Sequence, residues 1–211
     1  RAKGIMRGII NRAVRDPKRL VLAEGEARKM IRAARQLLDE GIAHPILLGN
    51  EETIRRKAQQ DGVRVDDITI EDPARSPRLE GYAQFLWERR QRKGLSLGEA
   101  QRRIVNGNYF GNVMVAKGDA DALLTGMTTT YPEALRPALE VVGANTKSGI
   151  VAGMYMLVFE KHVVFCGDTT VNIEPSAEQL AQIAHAAARI VRALRDIGRG
   201  QHATCAQGLA H

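Results

Sequence analysis

Short apolar runs alternate along this chain with segments of helical spacing. Arg19-Leu-Val-Leu-Ala23 is too short for a helix and reads as a buried strand. Ala27–Glu40 then spaces its apolar positions with a helical period and stops at Gly41. Pro45-Ile-Leu-Leu48 reads as a second strand closed by Gly49, Glu51–Gln60 as a helix, and Asp67-Ile-Thr-Ile70 as a third strand. This β-α-β-α-β order predicts an α/β fold, a three-layer arrangement in which a parallel sheet is flanked by helices on both faces. A short helix over residues 5–15 precedes the first strand. The turn-rich connector EDPARSPR (71–78) leads to helices at about 78–92 and 97–105, with Gly94 between them.

The stretch 106–143 carries the most chemistry. An amphipathic run over Tyr109–Lys117 is stopped by Gly118, and Asp119-Ala-Asp-Ala-Leu-Leu124 reads as a short buried strand. Gly126 and the threonines Thr128, Thr129 and Thr130 follow at its carboxyl end, and Pro132 opens a helix. Ligands of open α/β sheets bind outside the carboxyl ends of strands, where helix N-termini offer free N–H groups to anions. The hydroxyl-rich loop and Arg136 are therefore expected to face a phosphate-bearing ligand, although each threonine could equally cap the following helix. Pro137 restricts the residue before it and removes an N–H, so a kink turning Arg136 away from the helix face is expected.

Gly143-Ala-Asn-Thr-Lys-Ser-Gly149 has the composition of a linker. The expected division is a linker helix over 1–18, a first α/β domain over 19–145, the start of a second over 146–197, and a tail over 198–211. Within the second, Ile150–Glu160 and Val163–Cys166 resemble adjacent strands joined by a tight Lys161-His162 turn. Ser176 and Gln179 have the spacing of a capping box, and the Ala-rich helix runs to about Leu194. Asp168 follows an apolar strand and could orient a ligand, or with Asn172 could fix the turn before Pro175.

Of 211 residues, 44% are hydrophobic and only 4% aromatic, which suits helices packed on a buried sheet. The formal charge of +7 is concentrated in the first nineteen residues and in Arg89-Arg90-Gln91-Arg92-Lys93 with Arg102 and Arg103. Aromatic residues are not interleaved with these clusters and no nucleic-acid motif is visible, so nucleic acid is not the expected partner. Membrane association is not expected either, because no apolar run approaches the roughly 20 residues of a span. Cys166 and Cys205 make no disulfide framework, and no apolar segment follows the basic N-terminus; a soluble, cytoplasmic protein is expected. The chain contains neither GxxxxGK[ST] nor a GxGxxG after a strand, and no HExxH, CxxC or clustered His/Cys set. No metal is expected, and nucleoside triphosphate or dinucleotide binding has little support.

The motifs that remain are Leu22-Ala-Glu-Gly-Glu26, Arg90-Gln-Arg-Lys-Gly94, GDADALLTG (118–126), LRPALEVVG (135–143), VAGMYMLVF (151–159) and DTTVNIEPSAEQLAQIA (168–184). In this order they resemble the phosphate acetyl/butyryltransferase family over roughly residues 5–195. NYFG (108–111), TYPEALRPAL (130–139) and DTTVN (168–172) look most like the acetyltransferase-type domain at the C-terminus of bacterial hybrid NADP-dependent malic enzymes. The resemblance implies acetyl-CoA, or coenzyme A, with phosphate or acyl phosphate as ligands, and Arg90 and Arg136 at positions tied to substrate binding. It also implies a homo-oligomer formed through the second domain and, in the malic-enzyme case, an upstream oxidative-decarboxylation domain. Complete family members continue beyond the Ala-rich helix into a serine loop that carries the catalytic groups. The tail after Gly198 does not resemble them, so an incomplete second domain without its own catalytic residues is expected.

Overall fold

The computed structural model describes residues 2–143, 150–160, 162–168 and 170–198. Its contacts divide the chain into two compact units, one of residues 16–143 and the other of residues 1–15 with 144–211. Helix α1 (Ala2–Arg15) opens the chain in the second of these.

In the unit of residues 16–143, strands and helices alternate. They are β1 (Lys18–Leu22), α2 (Arg28–Asp39), β2 (Ala43–Leu48), α3 (Glu51–Gln60) and β3 (Thr69–Glu71). Helices α4 (Leu79–Arg90), α5 (Leu97–Ile104) and α6 (Gly107–Lys117) follow, then β4 (Ala122–Leu124) and α7 (Tyr131–Val141). The four strands form a parallel sheet in the order β3-β2-β1-β4, with Leu22 in register with Leu47 on one side and Leu124 on the other.

Successive residues of a strand point to opposite faces, and here both faces are dry. Leu22 and Leu47 pack with Met30, Ile31, Ala34, Ile54 and Ala58 of α2 and α3. Their neighbours Val21, Ile46 and Leu48 pack on the other face with residues of α4, α5 and α6, among them Leu86, Ile104 and Phe110. This is the expected three-layer arrangement. Each fully buried Val, Leu, Ile, Phe or Met side chain among these contributes about 1.5–3 kcal/mol of transfer free energy, so the two central strands anchor the unit from both sides. Helix α6 lies close over the sheet because Gly111 has no side chain: a Cβ there would sit 2.6 Å from Leu123 Cδ1 and 3.1 Å from Val21 Cγ1. Gly118 ends the same helix with φ at 78°, where a side chain would be strained.

Several boundaries differ from the sequence expectation for local reasons. Strand β3 starts two residues later, because Asp67 accepts hydrogen bonds from Arg35 and Arg64 and so belongs to the preceding turn. Strand β4 loses Asp119 and Asp121, which are engaged by Tyr82 and Arg19. Residues 91–93 form a 3-10 turn rather than a continuation of α4.

In the second unit, β5 (Met154–Val158) and β6 (Val163–Gly167) pair antiparallel, Met154 opposite Gly167 and Val158 opposite Val163. Strand β5 is shorter than the run 150–160, since Gly153 instead donates its N–H to the Asp168 carboxylate. Helix α8 (Ala177–Gly198) begins after Ser176, whose N–H donates to Gln179 Oε1 at 2.8 Å while Gln179 N donates to Ser176 Oγ at 3.3 Å. It packs against α1 and β6. Residues 144–149 of the expected linker, Lys161 of the expected turn and the tail from residue 199 lie outside the described residues. Among the described residues no helix is long and apolar enough to cross a membrane.

Candidate functional site

The carboxyl ends of the parallel strands converge on the β4–α7 loop. Glu24 leaves β1 two residues after its last position and turns its carboxylate into that loop. Its Oε2 accepts the N–H of Met127 at 2.7 Å. Its Oε1 accepts the N–H and hydroxyl of Thr128, both at 2.9 Å, and the N–H and hydroxyl of Thr129, both at 3.0 Å. Burial alone would raise the Glu24 pKa, but these donors reverse that and hold it below the ordinary carboxylate value. The third threonine is also engaged. Thr130 donates its N–H and hydroxyl to Glu133 Oε2 at 2.9 and 2.8 Å, which caps the first turn of α7 beside Pro132.

Helix α7 carries Arg136 to the edge of a cavity of about 490 Å³, lined by Asn106, Tyr109, Thr129, Glu133 and Arg136 among others. Arg136 is exposed, and among the described residues its guanidinium has no partner. One turn further along α7, Glu140 is a hub. Tyr109 donates its hydroxyl to Oε2 at 2.8 Å, and Arg103 Nη1 lies 3.2 Å from the same oxygen. Arg90 Nη2 stands 3.8 Å from Oε1, a contact wider than a hydrogen bond. Burial first, and then the bond to Glu140, push the Tyr109 hydroxyl pKa up, so it stays protonated as a donor. A second cavity of about 700 Å³ lies against the ends of β1, β2 and β3, bordered by Ala23, Glu26, Leu48, Asn50, Lys57 and Arg75. Its Lys57 ammonium is engaged by the carbonyl of Glu26 at 2.7 Å.

Of the residues singled out from sequence, Thr129 and Arg136 border one cavity, and Thr128 borders the other. Arg90 lies near Glu140, 3.8 Å from its Oε1. Asp168 lies in the other unit, where its carboxylate accepts the N–H groups of Gly153, Thr170, Val171 and Asn172 and the Asn172 side-chain amide. Burial opposes ionisation there, but the bonds from Thr170, Asn172 and Val171 outweigh it and depress the pKa strongly. Asp168 thus holds the turn that follows β6, one of its two expected roles. Glu24 and Glu140 were not singled out. Glu24 stands within Leu22-Ala-Glu-Gly-Glu26 and Glu140 within LRPALEVVG, but neither spacing shows which distant donors each would meet. Among the described residues, no group of three or more His, Cys, Asp or Glu could hold a metal ion.

A helix-flanked parallel sheet with an exposed arginine bordering a cavity beside the β4–α7 loop defines an open-sheet α/β protein. Residues 4–199 match the phosphate acetyl/butaryl transferase family, and the chain belongs to that family. It is 35% identical over 184 residues to the phosphate acetyltransferase of Nitratidesulfovibrio vulgaris, covering 87% of this chain and 26% of that protein. It is likewise 35% identical over 194 residues to the NADP-dependent malic enzyme of Rhizobium meliloti, covering 90% of this chain and 25% of the other. A phosphotransacetylase from Streptococcus pyogenes superposes with a TM-score of 0.85 at 26% identity, over 92% of this chain and 59% of that one. The chain spans only part of its curated relatives, 26%, 27% and 55% of three phosphate acetyltransferases.

Proposed function

We propose that this chain is a phosphate acetyltransferase-like domain that binds acetyl-CoA, with phosphate or acyl phosphate, beside Arg136. In this reading it is the regulatory C-terminal domain of a hybrid NADP-dependent malic enzyme, and an upstream domain carries out oxidative decarboxylation of malate. Residues 19–145 form its first α/β domain and residues 146–197 the start of its second. The observation that carries the ligand reading is the exposed guanidinium of Arg136, without a partner among the described residues, at the lip of a cavity of about 490 Å³. A planar guanidinium binds phosphate oxygens in pairs and keeps its charge at every physiological pH. Relatives named NADP-dependent malic enzyme align over about a quarter of their length, which suits a domain within a longer polypeptide.

A second reading is a catalytic phosphate acetyl- or butyryltransferase that moves an acyl group between CoA and phosphate. The relatives named phosphate acetyltransferase favour it. The two readings part on turnover. We expect the chain to bind acetyl-CoA in a calorimetric titration and to release no thiol from acetyl-CoA and phosphate. Thiol release at an ordinary enzymatic rate, roughly 1–1000 per second, would favour the catalytic reading. An absence of binding would overturn both.

A further inference from the structure

The Met127–Thr129 loop is built to hold an anion, and it already holds one. Three consecutive backbone N–H groups and two hydroxyls converge on the Glu24 carboxylate at 2.7–3.0 Å. Those donors are the ones a phosphate would need if the loop were its site. The loop also separates the two cavities: Thr128 borders the one at the ends of β1–β3, and Thr129 borders the one with Arg136. Directly after it, Thr130 and Glu133 fix the start of α7, the helix that carries Arg136.

The geometry points to Glu24 as a positioning residue: its carboxylate is the internal anion around which the β4–α7 loop is wound, and through that loop it sets Thr129 and Arg136 at the ligand cavity. The inference rests on the reading of that cavity as the CoA site. It has two consequences. An incoming phosphate does not take the Thr128 and Thr129 amides, because Glu24 fills them, and the charge it meets is Arg136. Removing the Glu24 charge then disturbs binding without removing any group that touches the ligand.

Glu24→Gln keeps the shape of the side chain, but its carboxamide presents an NH2 where one carboxylate oxygen accepted a bond, so one set of loop donors loses its acceptor. Two measurements on the full chain test the inference: calorimetric titration with CoA, and amide hydrogen exchange at Met127, Thr128 and Thr129. Expected for Glu24→Gln are faster exchange confined to these residues and a CoA affinity lowered about tenfold, the scale of one lost charge-assisted contact. Combining it with Arg136→Ala should then add little to Arg136→Ala alone, since both act on one interaction. Unchanged CoA affinity in a folded Glu24→Gln, or strictly additive effects of the two substitutions, would overturn the inference. If the parent chain binds no CoA, the ligand reading falls instead. Exchange then decides alone: unchanged protection at Met127–Thr129 in Glu24→Gln overturns the role of Glu24, and selective loss upholds it. Should Glu24→Gln fail to fold, Thr128→Val removes one exposed hydroxyl donor and is expected to show a smaller loss in the same direction; parent-like exchange and affinity would count against the inference.

Discussion

The unit of residues 16–143 and the unit built from α1, β5, β6 and α8 bury their apolar residues very differently. Among the described residues, every buried hydrophobic side chain except Ile183 belongs to residues 21–141. Along β5 and just past it, Tyr155, Leu157 and Phe159 alternate on one face of the hairpin and are 50%, 43% and 48% exposed. The contrast follows from topology. Parallel strands need crossover helices, and those crossovers cover both faces of the sheet. An antiparallel hairpin needs only a tight turn, and two strands with one helix leave one face open. A closed core and an open face therefore arise within one chain from the way its strands are connected.

Phe110, fully buried beside Tyr82, should cost about 3–5 kcal/mol of unfolding free energy when changed to Ala. Leu157→Ala, on the exposed face of β5, should cost less than about 1 kcal/mol. Denaturant unfolding followed by the fluorescence of Trp87, the sole tryptophan and a residue of α4, reads the first directly. Circular dichroism follows the second. Similar losses for the two variants would mean that the second unit is closed as firmly as the first.

A smaller difference between the two units is expected in acid. In the first unit the Asp121 carboxyl is held down to about 2, mainly by hydrogen bonds from the Arg19 side chain and backbone. In the second, Asp168 is depressed as well, burial being outweighed by the N–H groups around it. A carboxyl whose folded pKa is lowered stabilises the fold above its unfolded value and loses that contribution as pH falls through the folded value. The Arg19–Asp121 contribution should therefore be complete above about pH 5 and fade from about pH 4 to about pH 2. The turn held by Asp168 should survive to lower pH. Stability of Asp121→Asn measured at steps between pH 5 and 2 should fall less steeply than the parent's in that window, and an identical slope would remove Arg19–Asp121 as a contributor.

The closed unit was also the more legible one. The unbroken apolar runs Leu20-Val-Leu22 and Pro45-Ile-Leu-Leu48, set between segments of helical period, carry the parallel sheet and its two helical layers because both faces are buried. Gly118 and Pro132 mark helix ends through backbone preferences that act locally. At the candidate site only local placement was legible: the threonine loop lies between the end of a strand and the start of a helix, and Arg136 lies on that helix. The clasp of Glu24 on residues 127–129 spans more than a hundred positions, and three side chains from three elements meet at Glu140. Neither leaves a spacing signal, since each depends on which strand lies beside which. Arg90 shows the limit most clearly: its place in a basic run leaves a ligand role and a solvated surface position equally open, and the fold sets it near Glu140.

In the proposed function, the cavity beside Arg136 reads the phosphates of CoA. Calorimetric titration of CoA into the parent chain and into Arg136→Ala tests it most directly, because the side chain is exposed and its removal leaves the core intact. The expected loss is about 1.5–3 kcal/mol in binding free energy, the value of one charge-assisted contact, and it should be smaller when a CoA analogue without its phosphates is used. Equal affinity for parent and variant, at a stability unchanged between them, would contradict it.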